Sequence, residues 1–126
     1  FYLYNIYYTL IMKTIVNKPW GSFEIINEGK KYIVKKIIVK PGGKLSLQSH
    51  ENRSEHWLIA EGRADVTINK ETFILCENQH IFIPQGAIHR LANNTDKTLI
   101  VVEMWFGDNL DENDIKRYED MYNRDS

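Results

Sequence analysis

The sequence predicts an all-β fold, a sandwich or barrel, finished by one short C-terminal helix. Three observations point to it. Runs of four to nine residues rich in β-branched and aromatic side chains recur through most of the chain. Clusters of Gly, Pro, Asn and Asp divide them. Only the tail changes its hydrophobic period from two to that of a helix.

The strands follow in order. Ser22–Asn27 is the first and ends at "EGKK". Tyr32–Lys40 alternates, with Ile33, Lys35, Ile37 and Val39 on one side, and closes at "KPGG". Lys44–His50 and His56–Glu61 lie on either side of a polar turn at "ENRS", and "AEGR" leads into Ala64–Asn69. "NKE" introduces Thr72–Leu75, "PQG" follows His80–Ile83, and "NNTDK" separates His89–Ala92 from Thr98–Phe106. Short strands at this spacing exclude alternating βαβ units. In "LDENDIKRYEDMYNR", Ile115, Tyr118 and Tyr122 recur at i, i+3 and i+7, with Asp111 as N-cap and acidic residues in the first turn. This predicts an amphipathic helix lying on the barrel, as a lid on the core or beside the mouth of a site.

The chain has 126 residues, enough for one domain with a real core, and shows no repeat, linker or low-complexity stretch. Sixteen Lys and Arg against seventeen Asp and Glu leave a net charge of −1, which excludes the basic excess of a nucleic-acid domain. A single cysteine, Cys76, precludes an internal disulfide and fits a reducing compartment, so the cytoplasm is expected. Cys76 itself reads as a small apolar strand residue. The opening "FYLYNIYYTLIM" is too short to span a bilayer and lacks the charge and cleavage site of a signal peptide, so no membrane partner is expected. Residues 1–11 read as translated upstream sequence or a fragment boundary, or else as an edge strand or dimer contact. Residues 12–126 form the domain.

The stretch "LSLQSHENRSEHW" concentrates polar donors. Gln48 and His50 are two apart and face one way on a strand, while Glu55 shares a face with Trp57 and Ile59. A turn at "ENRS" brings the two groups together. His89, opening the strand after the Pro84–Gly86 turn, can face them across an antiparallel interior. One carboxylate, two imidazoles and an amide oxygen suit a borderline divalent ion such as Zn, Fe, Mn, Co or Ni. The lack of thiolates argues against a closed structural zinc site and leaves room for an open, catalytic position. The competing reading is a charged loop with surface histidines. His56 and His80 fall out of phase or lack ligand-type neighbours and read as structural.

These spacings resemble a known family. Gly42, Gln48, His50, Glu55 and Gly62 match the first cupin motif, with Gln48 in the first histidine position. Pro84, Gly86, His89 and Asn93 match the second, with Asn78 in place of its leading glycine. "KPWGSFEII", "VKPGGKLSLQSH", "RSEHW", "ENQHIFIPQGAIHRLAN" and "DNLDENDIKRYEDMYNR" resemble the cupin domain of type II phosphomannose isomerases, commonly the C-terminal part of bifunctional mannose-1-phosphate guanylyltransferase/mannose-6-phosphate isomerases. The likeness runs from about Lys18 to Arg124. It implies a jelly-roll (cupin) β-barrel and a metal site at Gln48, His50, Glu55 and His89, with zinc the leading expectation and Mn, Co, Ni or Fe the others. It also implies a sugar phosphate as partner, mannose 6-phosphate going to fructose 6-phosphate, and a homodimer. Glu51 and Asn52 stand where the family often has a histidine-rich run, and no Gly-rich nucleotide-binding start precedes the domain, so no guanylyltransfer is expected.

Isomerisation through an enediol needs a proton shuttle and a grip on the phosphate. Glu103, in phase with Val101 and Trp105, and Lys35, in phase with its apolar neighbours, are the catalytic candidates; outward, solvated positions are the alternative. Lys44 and Ser46 share the phase of Gln48 and His50. Arg90 follows His89 as in the family's "HRL", and Arg53 lies in the turn between ligands. These four are the substrate-binding candidates, with surface roles as the alternative. Trp20, Trp57 and Trp105 read as core and wall. Two other functions compete: a non-catalytic metal-binding cupin that binds or senses a sugar or sugar phosphate, and an oxygen-dependent redox cupin.

Overall fold

Inward-facing apolar residues at every second position give each long strand one surface to bury. The computed structural model describes residues 14–124. Its strands are β1 (Ile15–Lys18), β2 (Gly21–Glu28), β3 (Tyr32–Val39), β4 (Leu47–Ser49), β5 (Ser54–Glu61), β6 (Ala64–Ile68), β7 (Glu71–Leu75), β8 (His80–Ile83), β9 (His89–Ala92), β10 (Leu99–Phe106) and β11 (Lys116–Glu119). All nine expected strands form; the third shrinks to Leu47–Ser49, and β1 and β11 are additions. The reading of residues 1–11 lies outside the described residues.

The strands form two antiparallel sheets. One has six strands in the order β1-β2-β3-β10-β5-β8; the other has five, β11-β4-β9-β6-β7. Between them lies the core, which includes Trp20, Ile37, Val39, Trp57, Ile59, Val66, Leu91, Leu99 and Val101. The expected closed barrel is not what forms. Strand pairing stays within each sheet, so the architecture is an open sandwich, because side chains of the two inner faces fill the space between the layers.

The expected C-terminal helix is also corrected. Among the described residues there is no helix, and the tail instead places β11 against β4, pairing Lys116 with Ser49 and Arg117 with Gln48. Strand β4 offers unpaired backbone groups that a helix would not satisfy. Asp111 caps, but it caps a turn: its Oδ1 accepts the Asn113 N–H at 2.9 Å. Tyr118 donates or accepts a hydrogen bond with the Ser49 hydroxyl at 3.0 Å, and Tyr122 packs against the core. Cys76 follows β7 and is exposed, so it is neither a strand nor a core residue.

Two backbone positions explain residues of the sequence motifs. Gly62 has φ +87°, and a Cβ there would come within 2.7 Å of the Thr98 carbonyl oxygen. Asn78, which replaces a motif glycine, also has a positive φ of 71°, a conformation that Asn tolerates. Asn93 does something else. Fully buried, its Nδ2 faces the carbonyl oxygens of Val39 (3.1 Å), Lys40 (3.2 Å) and Lys97 (2.7 Å), and its Oδ1 accepts from the Thr95 N–H and hydroxyl. It ties the turn after β3 to the loop before β10. Asn93→Ala strands these buried carbonyls and is expected to lower the unfolding free energy by about 2–3 kcal/mol in a urea titration; a loss below the error of that titration would refute the pinning role.

Candidate metal centre

The site is built on the inner faces of both sheets. Strand β5 contributes Glu55 and Trp57, β10 Glu103 and Trp105, β3 Lys35, β9 His89 and β4 Gln48, while His50 and Arg53 come from the turn between β4 and β5. They surround a cavity of about 430 Å³, a size suited to a small molecule. The structure brings Lys35, Gln48, His50, Arg53, Glu55, His89 and Glu103 to this one cavity.

His50, Glu55 and His89 form the ligand cluster. One donor atom from each lies within 4.8 Å of the others, and all three residues are buried. His50 Nδ1 lies 2.7 Å from the Asp114 carbonyl oxygen, and His89 Nδ1 lies 2.9 Å from that of Ala87. A carbonyl only accepts, so each Nδ1 carries the proton and each Nε2 presents its lone pair. Burial keeps both rings neutral: it pushes His50 down to about 4, against the raising influence of Glu55, and shifts His89 downward for the same leading reason. Burial by itself would raise Glu55, but the charge of Arg53 and the hydrogen bond it donates outweigh this and hold Glu55 at about 2. The donor set is therefore two neutral imidazoles and one carboxylate, which fits a divalent metal. A cation already lies on it: Arg53 Nε donates to Glu55 Oε2 at 2.8 Å, and Nη2 donates to His50 Nε2 at 3.1 Å. Gln48 is the Cα partner of His89 across β4 and β9 and lines the same cavity.

A second buried carboxylate sits apart from that cluster. Glu103 accepts the Trp105 indole N–H at 2.6 Å, just as Glu55 accepts that of Trp57 at 2.9 Å. Burial, reinforced by the charge on Glu55, pushes Glu103 up to about 8, although Lys35 pulls the other way. Lys35 is its Cα partner on β3. The Lys35 Nζ lies 3.7 Å from the Trp105 ring centroid and 4.2 Å from that of Phe23, and it pairs with the Glu112 carboxylate. Such ring contacts are worth about 0.5–2 kcal/mol each.

Three expected substrate-binding residues are not brought to the cavity. Arg90 is adjacent to His89 and so faces the other way; its Nε donates to the Leu45 carbonyl oxygen at 3.0 Å and its Nη2 to that of Glu119 at 3.2 Å. Lys44 and Ser46 are out of phase because the backbone at 45–46 is not a regular strand, so Leu45 lines the cavity in their place. His56 and His80 lie exposed on strands β5 and β8. The three tryptophans are buried and line the wall, as expected.

The tail supplies what the sequence reading missed. Glu112, Ile115, Arg117 and Arg124 line the cavity, and the backbone of Asp114 orients His50. The Asp114 side chain accepts the Glu51 and Asn52 N–H groups, each at 2.9 Å; against the upward push of burial, these bonds hold its carboxyl below the ordinary range. A helical reading hid these residues. The signal available was the alternation of Ile115 and Arg117.

The family of mannose-6-phosphate isomerase C-terminal domains matches residues 8–120. The chain is 47% identical over 109 residues to the alginate biosynthesis protein AlgA of Pseudomonas aeruginosa, covering 86% of this chain and 23% of that protein. It is also 47% identical over 109 residues to the mannose-1-phosphate guanylyltransferase ManC of Salmonella typhimurium, again with 86% and 23% covered. The chain thus spans less than a quarter of the length of these relatives. An RmlC-like cupin from Shewanella frigidimarina shares the fold, with a TM-score of 0.67 at 16% identity over 75% of this chain and 83% of that one. From the two motifs, the buried His–Glu–His cluster and the match along nearly the whole chain, it follows that this protein belongs to the mannose-6-phosphate isomerase C-terminal family and has the cupin fold.

Proposed function

We propose that this chain is a metal-dependent isomerase interconverting mannose 6-phosphate and fructose 6-phosphate. The observation that carries the reading is one cavity holding two carboxylates in opposite states, Glu55 held ionised among the histidines and Glu103 raised to about 8. His50, Glu55 and His89, with Gln48 beside them, hold a divalent ion, zinc first. Bound there, the ion supplies Lewis acidity toward the negative charge that develops on the sugar oxygens.

The chain's own residues account for the proton. An aldose–ketose exchange moves one proton between C1 and C2. Glu103, titrating near the working pH, takes it from one carbon as a carboxylate and returns it to the other as the acid. The second proton passes between the two oxygens: Lys35, the cross-strand partner of Glu103, gives a proton from Nζ to O1 and regains one from O2, and its stacking on Phe23 and Trp105 fixes the approach. Arg53 steadies Glu55. The name of the alginate relative supports a role in supplying sugars for polysaccharide synthesis.

Conversion of mannose 6-phosphate, followed by a coupled fructose 6-phosphate assay, is expected only with divalent metal and is expected to vanish in His50→Ala/His89→Ala. Stoichiometric metal uptake with no turnover would instead favour a non-catalytic, sugar-binding cupin. Glu103→Gln is expected to lower kcat by about 10²–10⁴-fold with metal content unchanged; a kcat within twofold of wild type removes Glu103 from the reaction.

Stability gives an independent check on Glu103. In the metal-free protein the folded chain keeps a proton on Glu103 that the unfolded chain releases above 4.5, up to about 8. Raising the pH through that window therefore drains stability, and above it the loss is complete. The unfolding free energy of wild type relative to Glu103→Gln should fall from pH 5 to pH 8 and then level off. A difference that is flat or rises over that range contradicts the buried, protonated state.

A further inference from the structure

The two histidines of the cluster are oriented by different means. His89 Nδ1 donates to the carbonyl oxygen of Ala87, two residues back in its own turn. His50 Nδ1 donates at 2.7 Å to the carbonyl oxygen of Asp114, a residue 64 positions away. The carboxylate of the same Asp114 accepts the two backbone N–H groups that follow His50. Its Oδ1 takes that of Glu51 and its Oδ2 that of Asn52, each at 2.9 Å. One tail residue therefore grips both the ring of a ligand and the turn that carries it. The orientation of His89 is local; that of His50 is borrowed from the C-terminal segment.

Strand register puts Asp114 in that place. Lys116 pairs with Ser49 and Arg117 with Gln48. Carried two residues beyond β11, the same antiparallel register sets position 114 opposite position 51. Hydrogen bonds from N–H groups to a carboxylate are charge-assisted, and using both oxygens fixes the side chain. The Asp114 carbonyl is held in turn. It keeps the proton on His50 Nδ1 and leaves Nε2, 3.2 Å from Glu55 Oε2, to offer its lone pair to a cation. With the tail undocked, His89 and Glu55 keep their places and the third donor loses its support.

We infer that Asp114 is a positioning residue for the metal: it holds His50 in the ligating orientation, so that metal binding and docking of the C-terminal strand are linked. This rests on the metal-site reading above. Linkage is reciprocal, so whatever docking adds to metal affinity, bound metal adds to docking.

The test uses the full chain as wild type, Asp114→Ala and Asp114→Asn. Zinc affinity is read by competition with a chromogenic chelator. Tail docking is read by amide exchange at 116–119 with and without zinc, and the histidine Nδ1 protons by NMR of the metal-free protein. Asp114→Ala should bind zinc about tenfold more weakly, the low end for an outer partner of a metal histidine, because the carbonyl stays and only its anchor is lost. Asp114→Asn, which keeps one acceptor oxygen, should fall between. Asp114→Ala should also lose the slowly exchanging Nδ1 proton of His50 and keep that of His89, a selectivity that general loosening of the fold would not give. In wild type, zinc should slow exchange of the tail amides several-fold. Zinc affinity within twofold of wild type in Asp114→Ala, or retention of both Nδ1 protons, overturns the inference and leaves the metal site standing. A wild type that takes up no zinc sinks the metal-site reading, and the inference with it. If Asp114→Ala does not fold, wild type decides: tail exchange slowed by zinc supports the linkage, and exchange indifferent to zinc overturns it.

Discussion

Two buried carboxylates, each satisfied by the indole two residues along its own strand, set the terms for the rest of this structure. Glu55 takes the N–H of Trp57 and Glu103 that of Trp105, and the two strands run antiparallel so that Glu103 pairs with Trp57 and Trp105 with Glu55. An indole is a neutral donor, so it satisfies an oxygen without deciding its charge. The neighbours decide. Arg53 keeps Glu55 ionised between two imidazoles, whereas at Glu103 desolvation and the negative charge of Glu55 outweigh Lys35, the indole and Arg53. The same local motif thereby carries an ionised carboxylate at one position and a protonated one at the other. Removing one partner of the buried Arg53–Glu55 pair would cost about 3–5 kcal/mol, which ties the fold's stability to the site's integrity.

Much of this was legible in the chain. Alternation offered Lys35 and Glu103 as inward candidates with outward, solvated positions left open, and the structure buries both, each in a long strand whose other inward residues are apolar. The convergence of His50, Glu55 and His89 was readable from the motif spacing, although His50 stands in the turn after β4 and not in a regular strand. The reading failed where the strand is interrupted. Lys44 and Ser46 were assigned the phase of Gln48, but the irregular backbone at 45–46 turns Leu45 inward instead. Arg90 was carried in by its neighbour's role, though adjacent strand residues face opposite ways.

The tail was misread for a different reason. Ile115, Tyr118 and Tyr122 do recur at helical spacing, and local propensity had nothing to set against it. The deciding fact is remote: β4, some seventy residues earlier, needs a partner along its free edge. No local window contains that demand. Once the tail is a strand, Asp114 reaches His50, Glu112 reaches Lys35 and Arg117 joins the cavity.

Strand β11 is short, bulged and tied to a three-residue neighbour, whereas β3, β5 and β10 share long ladders. Native-state opening follows such differences, with weakly joined edge elements parting at lower free energy than the sheet interior. Amides of β11 would then exchange with solvent faster than those of β10. The wall that carries Arg117 would swing on a timescale at which the wall that carries Glu103 stays shut.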